Sequence, residues 1–145
     1  MTDTSKAQAQ ARACADSMYA ADKASQHLGI KLLSIEPGRA VMTMQVREEM
    51  LNGHASCHGG FIFTLADSAF AFACNSRNAT TVGQGCTVDY VKPAALGETL
   101  TAVAVERHLA GRTGLYDVSV SNGQGEDIAY FRGKSYRIKG SLLPE

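Results

Sequence analysis

The residues best placed to do chemistry lie between Asn52 and Asn75. Asn52, Gly53, His54, Ala55, Ser56, Cys57, His58, Gly59 and Gly60 form a polar, glycine-bearing loop. It runs straight into Phe61-Ile-Phe-Thr-Leu-Ala-Asp-Ser-Ala-Phe-Ala-Phe-Ala-Cys-Asn75. Phe61, Ile62, Leu65, Ala66, Ala69, Phe70, Phe72 and Ala73 leave no consistently polar face, so this stretch is expected to be a buried helix. One full charge, Asp67, stands in its middle. An ionised carboxylate in apolar surroundings costs several kcal/mol unless it is partnered or takes up a proton, so Asp67 is either a reacting group or a structural acid bonded to a neighbouring backbone. The glycines at the mouth leave first-turn N–H groups uncovered. Those groups and the helix dipole favour developing negative charge. A buried acid beside an anion-friendly helix start makes a candidate reaction centre.

Cys57 next to His58, with His54 nearby, raises two other chemistries. A zinc site needs three or four converging ligands, and no second cluster accompanies these residues, so no metal is expected. Adjacent residues on an extended segment point apart, which makes Cys57 and His58 a poor nucleophile and base. Cys14, Cys57, Cys74 and Cys86 show no CxxC pairing and read as reduced thiols, Cys14 and Cys74 as small core residues. At 145 residues, with 45% apolar and 19% charged side chains, the chain fits one domain with a proper core. Its formal net charge is zero, so nothing global points to nucleic acid. No apolar run reaches the roughly 18 residues a membrane span needs, and the N-terminal stretch lacks a signal core, so a cytoplasmic protein is expected.

The elements that must position these residues follow from periodicity. Residues 6–27 carry Ala7, Ala11, Cys14, Met18 and Ala21 at helical spacing, with Gly29 as a stop, making residues 1–28 an N-terminal helical segment. Ile30 to Ile35 reads as a strand, residues 36–39 as a turn, and Ala40, Met42, Met44 and Val46 as the inward face of a second strand. After the central helix come four strands. Thr81 to Val91 is interrupted by Gly83 and Gly85, which suggests a bulge or a close approach by ligand or partner backbone. Glu98 to Arg107, Arg112 to Ser121 and Glu126 to Ile138 follow, the last two joined by a hairpin turn at residues 122–125. The order α-β-β-α-β-β-β-β describes an α+β domain with a long helix laid on an antiparallel sheet.

Asn52, His58-Gly59-Gly60 and Leu65-Ala66-Asp67-Ser68-Ala69-Phe70 resemble the hotdog-fold acyl-CoA thioesterases, and more narrowly the phenylacetate-degradation (PaaI-type) thioesterases. The likeness continues through Cys86-Thr-Val-Asp-Tyr-Val-Lys-Pro93, Arg112-Thr-Gly-Leu-Tyr-Asp117 and Phe131-Arg-Gly-Lys-Ser135, and so spans residues 20 to 140. The resemblance implies a single hotdog domain over 1–145, an antiparallel sheet wrapped around the central helix. It implies hydrolysis of phenylacetyl-CoA or its hydroxylated relatives, with a hotdog hydratase or dehydratase and a non-catalytic acyl-CoA sensor as alternatives. It assigns oxyanion stabilisation to Gly59, with His58 and Gly60 beside it, and the base or nucleophile to Asp67. Asn52 would bind the carbonyl or orient water, or else bond local backbone; His58 would assist, or simply cap the helix. Arg132 and Lys134 share a face of the last strand, and with Arg112 they could hold the phosphates of CoA, which is substrate and not cofactor.

Helix geometry adds a constraint. At about 1.5 Å per residue, Gly59 and Asp67 of one chain lie on the order of 12 Å apart along the axis. Two antiparallel helices across a two-fold axis would bring each Asp67 beside the other chain's Gly59. A homodimer with shared sites is expected, and the resemblance implies its pairing into a homotetramer.

Overall fold

Alternating side chains build most of the molecule, whose computed structural model describes residues 2–144; Met1 and Glu145 of the expected 1–145 unit lie outside the described residues. Six strands form one sheet: β1 (Lys31–Glu36), β2 (Arg39–Gln45), β3 (Thr81–Tyr90), β4 (Thr99–Ala110), β5 (Thr113–Ser121) and β6 (Asp127–Arg137). They lie in the order β1-β2-β4-β5-β6-β3, with every neighbouring pair antiparallel. Leu100, Ala102 and Ala104 of β4 and Tyr116, Val118 and Val120 of β5 are buried on one face, as period-two alternation requires. Ala40, Met42 and Met44 of β2 and Ile128 and Phe131 of β6 complete that face.

Helix α3 (Gly59–Cys74) lies on this inner face, with Ile62, Leu65, Ala66, Ala69, Phe70, Phe72, Ala73 and Cys74 buried against it. This is the hotdog arrangement, a six-stranded antiparallel sheet around one long helix in an α+β domain. At roughly 1.5–3 kcal/mol for each large apolar side chain withdrawn from water, the buried aromatic and aliphatic groups anchor the helix firmly.

Two expectations need correction. The helix is not buried all round: Gly60 and Asp67 are exposed and Thr64, Ser68 and Ala71 only half-buried. A sheet can cover one side of a helix, and these residues recur on the side turned away from it. The N-terminal segment is also not one helix. Helix α1 (Asp3–Ala21) ends before Asp22, and α2 (Lys23–His27) begins after it. The Asp22 carboxylate accepts the Ser25 N–H at 2.9 Å and the Ser25 hydroxyl at 2.6 Å, so a side-chain cap replaces the continuing turn.

The bulge expected at Gly83 and Gly85 is present, as a register shift of β3 against β6. Gly83 lies over Phe70 of α3, where a Cβ would stand 3.2 Å from the ring. Among the described residues β3 has β6 as its one neighbour, so its other edge is open.

Candidate active site

The loop before α3 is held by backbone hydrogen bonds. Asn52 N–H donates to the Ser56 carbonyl at 2.8 Å, Cys57 N–H to Ala94 at 2.8 Å and His58 N–H to Met50 at 2.8 Å. The Asn52 side-chain oxygen accepts from His54 N–H (2.9 Å), Ser56 N–H (3.2 Å) and the Ser56 hydroxyl (3.3 Å). Asn52 therefore bonds local backbone, while its side-chain NH2 has no protein acceptor among the described residues.

His58 is the N-cap of α3, its Nδ1 accepting the Gly60 N–H at 2.9 Å. Nδ1 is occupied in this way and cannot serve as a base for Cys57, whose own thiol is buried and pushed up by desolvation. The Gly59 N–H, by contrast, donates to no protein acceptor among the described residues. It is the available donor at the mouth of the helix dipole. Gly59, Asn52, Ile62, Tyr90, Val91 and Lys92 line a cleft of about 350 Å3. The sequence reading assigned no role to Tyr90. Its hydroxyl donates to the Gly59 carbonyl at 3.0 Å, and a Cβ added at Gly59 would stand 3.1 Å from its Cζ. An aromatic at the end of a strand is a weak signal, because such residues usually pack.

Asp67 does not reach this cleft within one chain. It stands on the open side of α3, about two turns beyond Gly59. Its tip meets solvent, yet the helix and sheet behind it displace part of the surrounding water. That desolvation raises its carboxyl above the usual aspartate range. The Cys74 thiol, buried seven residues further along the helix, is pushed up to about 12, chiefly by desolvation.

The expected carrier cluster is divided between two faces. Arg132 and Lys134 are both exposed on the outer face of β6, between buried Phe131, Gly133 and Ser135. Arg132 is already committed to Asp117 through Nε at 2.6 Å and Nη2 at 2.8 Å, and Arg107 joins the same carboxylate at 2.9 Å. The hydrogen bond from Arg132 is the main cause holding Asp117 below the usual carboxylate range. This triad lines an open hollow of about 490 Å3 on the outer sheet face, larger than the Asn52–Gly59 cleft and sharing no lining residue with it. Arg112 does not join them. It sits in the β4–β5 turn, donates to the Arg137 carbonyl at 3.2 Å, and lines a separate hollow with Cys74, Tyr116 and Ser135 on the helix side of the sheet.

Four similarities bear on this arrangement. The thioesterase superfamily model matches residues 54–129, which includes the helix start and Asp67. The acyl-coenzyme A thioesterase PaaI of Escherichia coli (strain K12) is 49% identical over 131 residues, covering 90% of this chain and 94% of that protein. The solved structure of the E. coli PaaI protein from the phenylacetic acid degradation operon superimposes with a TM-score of 0.91 at 48% identity, over 92% of this chain and 97% of that one. The smu.793 protein of Streptococcus mutans UA159, solved bound to acetyl CoA, gives 0.73 at 28% identity, over 77% of this chain and 90% of that one. A cleft with a free helix-start N–H, the sheet-wrapped helix that presents it, and these matches agree: the chain belongs to the thioesterase superfamily and is a hotdog-fold thioester hydrolase.

Proposed function

We propose that the protein hydrolyses phenylacetyl-CoA or ring-hydroxylated phenylacetyl-CoA to the free acid and CoA, within aromatic (phenylacetate) catabolism. The observation that carries this reading is the unpartnered Gly59 N–H in a cleft shared with Asn52. The relatives named for acyl-CoA hydrolysis and for phenylacetic acid degradation support the substrate class. The thioester carbonyl would point at Gly59, where negative charge gathers as the carbon becomes tetrahedral. The NH2 of Asn52 offers a second donor. Asp67 from a second chain would supply the electron pair, either by attacking the carbon to give an anhydride or by taking a proton from water. Both routes end in carboxylic acid and CoA thiol. No cofactor is required beyond the substrate's own CoA.

The proposed assembly is a homodimer with two shared sites, paired again as a homotetramer. The proposed location is the cytoplasm, where thiols such as the four cysteines stay reduced; no helix of the described residues is long and apolar enough to cross a membrane. A hydratase would need a histidine free to work with the acid, and His58 spends Nδ1 on the helix start. A sensor would have no use for an acid set in an apolar helix with its carboxyl raised by desolvation. The test is release of free CoA from a panel of acyl-CoA thioesters, followed with a thiol-reactive dye. Phenylacetyl-CoA or a hydroxylated relative should give the highest kcat/KM, and a clear preference for straight-chain acyl groups would overturn the substrate assignment.

A further inference from the structure

We propose that Tyr90 is a positioning residue for thioester hydrolysis, one jaw of a two-sided clamp on the Gly59–Gly60 peptide. The proposal rests on Gly59 N–H being the oxyanion donor. Two successive glycines are the least constrained pair a chain can offer, because neither has a Cβ to limit φ and ψ. Such a pair is a poor base for a donor whose value depends on being aimed before the reaction begins. The structure supplies the missing constraint from outside the loop. The peptide unit between Gly59 and Gly60 is held at both ends: its N–H donates to His58 Nδ1 at 2.9 Å, and its C=O accepts from the Tyr90 hydroxyl at 3.0 Å.

The two jaws have different anchors. His58 belongs to the loop and moves with it. Tyr90 is the last residue of β3 and pairs with Ala129 of β6, so it refers the glycines to the sheet. Its ring also closes the space beside Gly59, where a Cβ would stand 3.1–3.4 Å from ring atoms and the hydroxyl. With the following peptide fixed, rotation about the Gly59 backbone is restricted, and the preceding N–H keeps its direction. Packing alone does not account for the residue. Tyr90 is 49% exposed, and phenylalanine would fill the same place without the hydroxyl.

Tyr90→Phe removes that hydroxyl and little else. It should lower kcat on the order of tenfold, less than the ~10²–10³ that loss of a whole oxyanion donor costs. KM should stay within about twofold, since the contact matters when charge develops and not when substrate binds. In 15N-labelled protein the Gly60 amide should exchange faster with solvent, while thermal unfolding stays close to wild type. Activity is measured on whichever acyl-CoA the wild type turns over fastest, so a mistaken substrate assignment leaves the test intact. Asp67→Asn runs beside it: an inactive Asp67→Asn with a normal Tyr90→Phe overturns the clamp and leaves the reaction centre standing. Unchanged kcat and Gly60 exchange in Tyr90→Phe, or a loss of kcat matched by loss of folded protein, likewise overturns it.

Discussion

Asp67 is the residue whose chemistry is hardest to explain by packing. It interrupts an apolar helix, makes no hydrogen bond or ion pair with the described residues, and has its carboxyl raised by desolvation. The sign of that shift has a consequence. In the unfolded chain the group returns to about 3.8, so the folded protein favours the protonated form. The stability this gives is full below the ordinary aspartate range and is lost as pH rises through the raised folded value. Asp67→Asn, which cannot ionise, should therefore melt no lower than wild type at neutral pH, and any advantage should vanish below about pH 4. Its turnover should fall at least ~10²-fold, as for loss of a base or nucleophile. In the wild type, kcat/KM should decline toward acid with a midpoint above the normal aspartate value. A folded Asp67→Asn enzyme with near-normal CoA release would remove the acid from the mechanism. At the outer face, Lys134 makes no ion pair among the described residues, whereas Arg132 is tied to Asp117. Replacing both with Ala should raise KM for a CoA thioester and flatten its salt dependence, with much less effect on a truncated thioester lacking the nucleotide. Equal weakening of both substrates would place the phosphates elsewhere.

Between elements, close packing decides which side chains are tolerated. Gly133 of β6 is buried beneath α3, and a Cβ there would stand 2.8 Å from Phe70 and 3.0 Å from Phe131. These rings pack together at 5.7 Å between centroids and cannot both retreat. Gly133→Ala should cost ~1–3 kcal/mol through overpacking, seen as a lower midpoint in urea; an unchanged midpoint would mean that the rings move freely. Strands were the legible part of the sequence. Alternation locates β5 and β6 to within one residue at each end, because one face is buried and the other is wet. The helix start was legible too, from its glycines. What eluded the sequence is what depends on neighbours far along the chain. The Asp22 break needs a local cap to outweigh helical periodicity. The outward turn of Asp67 follows from which side of α3 the sheet covers. The separation of Arg112 from Arg132 reflects a turn at Gly111, where φ is +59° and strand parity ends. Tyr90 lies within the Cys86–Pro93 motif, but only the fold brings it to Gly59, 31 positions away in the chain.

The whole molecule has an unfinished side. Helix α3 leaves Asp67 uncovered, β3 has an open edge, and Val82 and Val91 beside it are exposed. A carbonyl carbon must sit about 3 Å from both the oxyanion donor and the attacking group. Within one chain Gly59 and Asp67 are separated by about 12 Å of helix, four times too far. A second copy related by a two-fold axis, with the two α3 helices antiparallel, would close both gaps with the same surface used twice. Complementation tests this arrangement. Asn52→Ala spoils the donor side and Asp67→Asn the attacking side, and each variant alone should be inactive. In a mixed dimer, the Asp67→Asn chain contributes intact Asn52 and Gly59, and the Asn52→Ala chain contributes intact Asp67. One of the two sites is then whole. Random refolding of equal amounts gives mixed dimers in about half the population, so CoA release should recover to roughly a quarter of wild type. Recovery should appear only after the chains have been dissociated and refolded together, not on simple mixing of stable dimers. Refolded mixtures as inactive as their parents would show that each chain completes its site alone, and would require Asp67 to be replaced by an attacking group inside the Gly59 cleft.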